Sequence, residues 1–448
     1  MAAGRGREFR AFNKLLNVER MTADEIERVQ QEHLCSILEH AHDKVPYYRE
    51  VLSKAGWGKS LKPAASVEVL GRLPLLTKDV LREQLQTLRS GDLGKRRWFY
   101  NTSGGSTGEP VRFIQDSEYE MWNRAVSMLF DNWTGYRAGM PKIVLWGSER
   151  DLLVGKERLR TRVRRLFYNE CWLNAFRMSD GSMGDYVNRI NSIRPVQILA
   201  YAQSIHELAK FVESNRLRVH SPRAIMTSAG TLHSHMREVI ERVFKAPVFN
   251  RYGSREVGAI ACECKAHRGL HVCPLTHYIE VLRDDGHAAD PGEPGEVVVT
   301  LLTNRAMPLI RYRIGDVAQW AGARCECGLK WPALIAVMGR VTDVFVTQDG
   351  TKVDGEYFTH LLYFKDWVRQ FQFVQEDYNR IVLLVAPTRA AQNQVITKDC
   401  QEIEAQIKAV MGTECRLQFE LVEDIAPSAS GKHRYTVSQI VKELPLVQ

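Results

Sequence analysis

Apolar positions recur at helical spacing behind Thr22-Ala23-Asp24-Glu25, where Ile26, Val29, Ile37, Leu38 and Ala41 follow a stretch that fits a capping box. That helix is expected to stop before Val45-Pro46, because the residue ahead of a proline is pushed out of the helical region. Tyr47 and Tyr48 just beyond it read as packing residues. Leu73-Pro74-Leu75-Leu76-Thr77-Lys78-Asp79 reads as a loop entering a second helix, with Thr77 as its N-cap. Trp98 to Asn101 and Val111-Arg112-Phe113 read as short strands on either side of a glycine-rich loop. An aromatic-rich helix is expected from Ser117 to Trp133 and a buried strand over Lys142-Ile143-Val144-Leu145-Trp146. A regular alternation follows: strand Val196 to Tyr201, helix Ile205 to Val212, strand Ala224 to Ser228, helix His233 to Phe244, strand Val248 to Tyr252. Strands alternating with helices of this length argue for a parallel α/β sheet.

From about Tyr278 the pattern changes. The turn clusters Asp284-Asp285-Gly286 and Asp290-Pro291-Gly292 separate β-rich runs such as Glu296 to Leu302, which predicts a small antiparallel or barrel-like layer. Beyond it, strands near 371–374, 380–385 and 417–421 with a helix near 399–410 predict an α+β domain. The expected organisation is therefore α/β: a large domain over residues 1–339 and a mobile C-terminal domain over 340–448.

Composition narrows the class. The 448-residue chain is 44% apolar and 25% charged, the balance of an ordinary globular protein. Its net charge of +8 is spread over 61 basic and 53 acidic residues, whereas a nucleic-acid binder concentrates basic charge in one patch. Lys156 to Arg165 holds six Lys/Arg in ten residues, either a solvated helix face or a cradle for an anionic substrate. No apolar run approaches the length of a membrane span, and the arginine-rich N-terminus lacks the hydrophobic stretch of a secretory signal. A cytoplasmic protein with no nucleic-acid and no membrane partner is expected. Whether it forms a homodimer is not legible.

The loop Asn101-Thr102-Ser103-Gly104-Gly105-Ser106-Thr107-Gly108-Glu109-Pro110 carries the first chemical signal. Glycines permit close backbone approach, and successive amides with hydroxyls beside them form an anion-binding concavity suited to a polyphosphate. No Gly-Lys-Ser/Thr closes it as in a Walker loop; Gly58-Lys59-Ser60 resembles one, but Ser53 stands at the leading glycine. Read alone, the loop could equally be a flexible linker. Four further segments accompany it: Asn250-Arg251-Tyr252-Gly253-Ser254-Arg255-Glu256, Tyr312-Arg313-Ile314-Gly315-Asp316, Gly339-Arg340-Val341-Thr342-Asp343, and Ser428-Ala429-Ser430-Gly431-Lys432-His433-Arg434.

In this order the five segments resemble those of the AMP-forming adenylating enzymes, which include acyl-CoA synthetases, firefly luciferase and peptide-synthetase adenylation domains. With Met307-Pro308-Leu309-Ile310-Arg311-Tyr312-Arg313 and Cys325-Glu326-Cys327-Gly328, the chain looks most like the phenylacetate–CoA ligase and capsule-biosynthesis branch. The resemblance implies that Ser103, Gly104, Gly105, Ser106 and Thr107 hold the β- and γ-phosphates of ATP. Tyr252 would stack on adenine, with Ser228, Ala229 and Gly230 on the other side of the base. Arg251, Gly253 and Ser254 belong to the same nucleotide-binding segment. Glu256 would bind Mg²⁺, Asp316 the ribose, and Arg340 would reinforce the ribose contact. Lys432 would reach the α-phosphate and the substrate carboxylate, and Thr342-Asp343 would be the hinge. The chain departs from the wider pattern at Val111 (commonly lysine), Ile314 (commonly threonine) and Thr342 (commonly an acid).

The reaction so implied is ATP-dependent activation of a carboxylic acid to an acyl-adenylate, with CoA thiol as first choice of acceptor. The rival readings are an amide-forming synthetase with an amine acceptor, loading of a separate carrier protein, an adenylyl transferase, and a nucleotide-binding protein that no longer catalyses. The acid pocket is expected among the strand at Lys142–Trp146, Tyr201-Ala202-Gln203-Ser204 and the loop after Ser228. Trp146 and Tyr201 suit a planar or aromatic acid, or are ordinary core aromatics.

Nine cysteines in a chain of this length do not make a disulfide scaffold. Five lie between Cys262 and Cys327, and Cys264, His267, Cys325 and Cys327 supply a set suited to a structural Zn²⁺. Cys262, His271 and Cys273 compete as ligands, and free thiols are the alternative.

Overall fold

The computed structural model describes residues 2–58, 62–102, 111–147, 168–283, 285–338, 344–362, 365, 367–388, 397–425 and 435–440. The glycine-loop residues Ser103–Thr107, the basic run from Lys156 to Arg165, Arg340, the Thr342-Asp343 pair and Lys432 lie outside that set. Chain contacts divide the rest into two compact units.

The first unit joins the N-terminal segment to Val111–Arg137 and Phe249–Met338. Its helix Ala23–Lys44 begins at the expected box: the Glu25 amide donates to Thr22 Oγ1 at 3.3 Å and the Thr22 amide to Glu25 Oε2 at 2.8 Å. Pro46 does not merely end that helix. It occupies the first turn of another, Pro46–Lys54, where its missing N–H costs nothing. Tyr48 is 2% exposed and its hydroxyl donates to the Pro308 carbonyl at 3.0 Å, as befits a packing residue.

Strands Trp98–Thr102 and Arg112–Asp116 pair antiparallel as a two-stranded ribbon. Asp116 then caps the helix Ser117–Trp133, accepting from the Glu118 and Tyr119 amides at 3.1 and 2.9 Å. The antiparallel layer is larger than the sequence pattern predicts. Its strands are ordered His277–Leu282, Pro294–Leu301, Tyr312–Trp320, Ala333–Met338, Leu270–Val272, Gly258–Glu263 and Val248–Ser254, every neighbouring pair antiparallel. The antiparallel run thus starts at residue 258 rather than 278, because a short turn after Ser254 returns the chain directly beside the strand it has just left.

In the second unit Glu170–Asn174, Lys142–Trp146, Gln197–Tyr201 and Ala224–Ser228 lie side by side, all parallel. The helices Asp180–Ile193, Ala202–Ser214 and Ser234–Phe244 belong to this parallel segment. The same unit takes in the chain after residue 338. There a four-stranded sheet runs in the order Arg416–Leu421, Arg380–Pro387, Val368–Asp377, Thr436–Ser438. Contacts therefore cut the chain after Met338, beside the expected boundary, but group the C-terminal segment with Ala138–Val248. The physical cause is a three-stranded ladder in which Lys352–Asp354 pairs with both Val344–Val346 and Arg177–Met178, over a shared core in which the Phe176 and Tyr357 rings meet at 5.5 Å. Among the described residues no helix is long and apolar enough to cross a membrane.

Candidate active site and metal centre

Glu256 sits in the turn between strands Val248–Ser254 and Gly258–Glu263 and is 2% exposed. Tyr312, wholly buried at the start of strand Tyr312–Trp320, donates its hydroxyl to Glu256 Oε1 at 3.3 Å. The turn's backbone is held from below by Gln115 of the ribbon, whose Nε2 donates to the Arg255 and Glu256 carbonyls at 2.9 and 3.1 Å. Gln115 Oε1 in turn accepts from Asn101 Nδ2 at 3.0 Å. Neither Gln115 nor Tyr312 carries a local sequence signal for this task; only the strand pairing brings them here. Tyr119 feels the same carboxylate: burial, then the Glu256 charge, push its phenol pKa upward.

Two residues 64 apart in the chain meet at the site, the Tyr252 hydroxyl donating to Asp316 Oδ2 at 2.8 Å. Asp316 owes its position to an irregularity in the sheet. Register slips between Glu296 and Val298: Val317 pairs with Glu296 and Arg313 with Val298, while the three residues between Arg313 and Val317 bulge out. Gly315 takes φ +89° within that bulge, a conformation that glycine adopts without strain. Ile314, the departure from threonine, is 3% exposed and belongs to the core, as does the fully buried Val111.

Gly253 is required by close approach, since a Cβ there would lie 2.4 Å from the Gly258 carbonyl oxygen. Ser254 Oγ accepts from the Val257 amide at 3.4 Å, closing the turn. Arg251 is half-buried, and desolvation lowers its pKa against the opposing pull of the Asp131 carboxylate.

In the second unit, Ser228 ends its strand opposite Tyr201 and is 7% exposed. Ala229 follows at φ +61°, a left-handed conformation uncommon for a residue with a Cβ and often retained at functional loops. Trp146 and Tyr201 meet at 4.2 Å between ring centroids. Tyr201 and Phe176 are core residues, with Phe176 packed so closely that a Cβ on Gly147 would overlap its ring. Trp146 remains half-buried at the carboxyl end of its strand, the end at which parallel sheets bind ligands.

The cysteine cluster forms, with one change of ligand. Cys264, Cys325, Cys327 and His271 bring their ligand atoms within 4.8 Å of one another. Cys264 and Cys325 sulfurs are 3.6 Å apart, and Cys327 Sγ lies 3.3 Å from His271 Nε2. Tetrahedral zinc with bonds of about 2.3 Å to sulfur and about 2.0 Å to nitrogen calls for edges close to these. The His271 Nδ1 faces the Trp331 carbonyl at 3.4 Å, which fixes the proton there and turns Nε2 to the sulfurs. Burial lowers the His271 pKa, the direction that favours the neutral imidazole a ligand requires.

His267, the expected ligand, is elsewhere. Its φ of +51° turns the ring back onto Phe249 at 4.7 Å and onto the Glu263 carboxylate at 3.1 Å. His271 wins because its strand pairs with both Cys262 and Ala333, which carries it to the turn holding Cys325 and Cys327. Burial pushes the Cys264 thiol up to about 12, so a thiolate here needs a cation in bonding reach. Cys262 and Cys273 are buried outside the cluster.

The comparisons with known proteins agree with this geometry. The class comes first from the fold: 2-hydroxyisobutyryl-CoA ligase, solved with 2-HIB-AMP and CoA in its thioesterification state, aligns over 94% of this chain and 91% of its own. The TM-score is 0.59 at 20% identity. The chain thus has the α/β fold of the adenylate-forming acyl-CoA ligases. Among curated relatives, the protein CapK of Staphylococcus aureus is 26% identical over 401 residues, covering 88% of this chain and 85% of CapK. The phenylacetate-coenzyme A ligase of Thermus thermophilus is 25% identical over 346 residues, 73% of each chain. Residues 345–439 match the CapK C-terminal domain family.

Proposed function

We propose that this protein is an AMP-forming ligase that activates a carboxylic acid with ATP and transfers the acyl group to coenzyme A. The observation that carries it is the Tyr252–Asp316 hydrogen bond beside the buried Glu256, three residues from separate strands and a turn gathered in one unit. The names of the relatives, phenylacetate-coenzyme A ligase above all, support the acceptor.

An oxygen of the substrate carboxylate attacks the α-phosphorus of ATP, the bond to the β-phosphate breaks, and pyrophosphate leaves. The CoA thiol, losing its proton, then attacks the acyl carbon and AMP departs. Tyr252 would stack on the adenine, a base-binding role that the resemblance also gives to Ser228, Ala229 and Gly230, and Asp316, oriented by the Tyr252 hydroxyl, would accept from the ribose. Glu256 is a single hard oxygen donor held rigid by Tyr312, which suits Mg²⁺ shared with phosphate oxygens. Ser103 to Thr107 hold the departing phosphates, Arg340 supports the ribose, and Lys432 stabilises the charge that develops at the α-phosphate. Residues 340–448 act as a lid turning about Thr342-Asp343 between the two steps. The acid is planar or aromatic, stacking on Trp146. Cys264, His271, Cys325 and Cys327 hold a structural Zn²⁺, with no coordination position left for chemistry. The nine cysteines form no disulfide, which fits a reducing cytoplasm.

Acid-dependent exchange of labelled pyrophosphate into ATP tests the first step. One or more planar carboxylic acids should support exchange, and folded protein silent across a broad acid panel would end this reading. Exchange needing no acid would point instead to adenylyl transfer.

Tyr252→Phe isolates the Asp316 contact, because it keeps the ring and deletes the hydroxyl. A hydrogen bond to a carboxylate is worth about 1.5–3 kcal/mol, and Tyr252 is half-buried, so the lower end applies. KM for ATP should rise about tenfold with kcat little changed. An unaltered KM would mean that Asp316 is oriented by something else.

A further inference from the structure

Lys95, Arg96 and Arg97 run directly into Trp98, Phe99 and Tyr100, the strand that leads to the glycine loop. Arg96 is taken up by Asp92 at 2.8 Å and Asp116 at 3.4 Å. Two other arginines are held differently. The Arg89 guanidinium lies 6.0 Å from the Trp98 ring centroid. Trp98 meets Tyr100 edge to face at 5.2 Å. Arg112, on the facing strand of the ribbon, lies 5.6 Å from the Tyr100 centroid. The sequence of groups is guanidinium, indole, phenol, guanidinium. Tyr100 is 46% exposed and Phe99 39%. Among the described residues neither Arg89 nor Arg112 meets a carboxylate; Arg89 donates to the Gln86 side chain at 2.8 Å.

The strip is built rather than accidental. Phe113 and Ile114 on the facing strand are 1% and 0% exposed, and five register pairs fix the ribbon. A half-buried indole and an exposed phenol, flanked by guanidiniums that meet no carboxylate among the described residues, are what a phosphorylated heteroaromatic ligand needs: a face on which a base stacks, and forks that match phosphate oxygens.

We propose that this strip binds the nucleotide end of coenzyme A, the adenosine bearing a 3′-phosphate and a 5′-diphosphate. The proposal rests on the reading of CoA as acceptor and adds where the acceptor is held. Two adjacent rings accommodate one base, whereas a nucleic-acid strand calls for a succession of platforms. The strip also lies beside the machinery without belonging to it. Asn101, the next residue after Tyr100, donates to Gln115, and Gln115 holds the Glu256 carbonyl. A nucleotide on Trp98 and Tyr100 therefore starts its pantetheine arm close to the reacting centre, while Tyr252, Asp316 and Glu256 stay with ATP.

The test uses the full-length protein and adenosine 3′,5′-bisphosphate, which has no thiol and no arm. Titration should quench tryptophan fluorescence saturably. The quench should vanish in Trp98→Phe, and the binding in the Arg89→Ala/Arg112→Ala double variant. In turnover, each single arginine variant should raise KM for CoA about tenfold. Each should also lose the wild-type preference for CoA over dephospho-CoA, which lacks the 3′-phosphate. Unchanged KM values with the preference intact, or bisphosphate binding that survives in the double variant, would overturn the proposal. So would an oligonucleotide that binds through the same arginines more tightly than the bisphosphate, which would make the strip an RNA surface. A failure of the acceptor reading looks different: wild-type protein would exchange pyrophosphate yet form no thioester. The bisphosphate titration needs no turnover and still decides whether the strip binds a nucleotide.

Discussion

Glu256→Gln is expected to slow acid-dependent pyrophosphate exchange by about 10²–10³-fold, the usual cost of removing one preorganised charge-stabilising group, while thermal unfolding barely moves. Glutamine has the same outline, can accept the Tyr312 hydroxyl through its amide oxygen, and leaves the Gln115 bonds to the backbone carbonyls untouched. At 2% exposure a neutral amide is also cheaper to bury than a carboxylate, so the fold has no reason to suffer. What disappears is the negative oxygen that the proposed Mg²⁺ on the phosphates would take. The Mg²⁺ concentration giving half-maximal exchange should therefore rise, and excess Mg²⁺ should recover part of the rate. A variant that exchanges at the wild-type rate with unchanged Mg²⁺ dependence would remove Glu256 from the metal and leave it a buried partner of Tyr312.

What the sequence could and could not reveal follows from the range of the forces involved. Thr22 and Glu25 cap a helix through contacts three residues apart, and the structure begins that helix at Ala23. The strands at 142–146 and 224–228 carry continuous apolar runs and fall where expected. Tyr252, Glu256 and Asp316 could be named as candidates because the ordered motifs that hold them resemble those of the adenylating enzymes. Gln115 was not, since its partners are 140 and 141 residues away and nothing near it marks the task. Arg177–Met178 is a strand of two residues, too short to show any period, yet it ties the C-terminal chain to the parallel-sheet segment. The choice between His267 and His271 was likewise out of reach. Spacing from Cys264 favoured the nearer imidazole, but a turn conformation and a strand pairing, both long-range outcomes, send it to Glu263 instead.

That choice yields the second large effect. His271→Ala should abolish stoichiometric zinc and lower the melting temperature, while His267→Ala should keep its zinc. A ligand that binds only the folded chain stabilises it by about 3 kcal/mol when its free concentration is a hundredfold above Kd, which for domains of this size corresponds to about 5–10 °C. The loss should propagate beyond the cluster. Trp331, whose carbonyl faces His271, donates its indole N–H to the Val18 carbonyl at 3.3 Å, and Trp133, edge-on to His271, donates to Glu19 at 2.5 Å. Without the metal these anchors of the N-terminal helix loosen, so His271→Ala should be cleaved faster near Arg20 by trypsin than His267→Ala. Zinc by mass spectrometry, melting curves and timed proteolysis on the two variants read the same question in three ways. Equal metal content in both would return the fourth ligand to an open choice among the remaining side chains. Zinc lost from His267→Ala and kept by His271→Ala would mean that the Glu263 contact gives way to the metal.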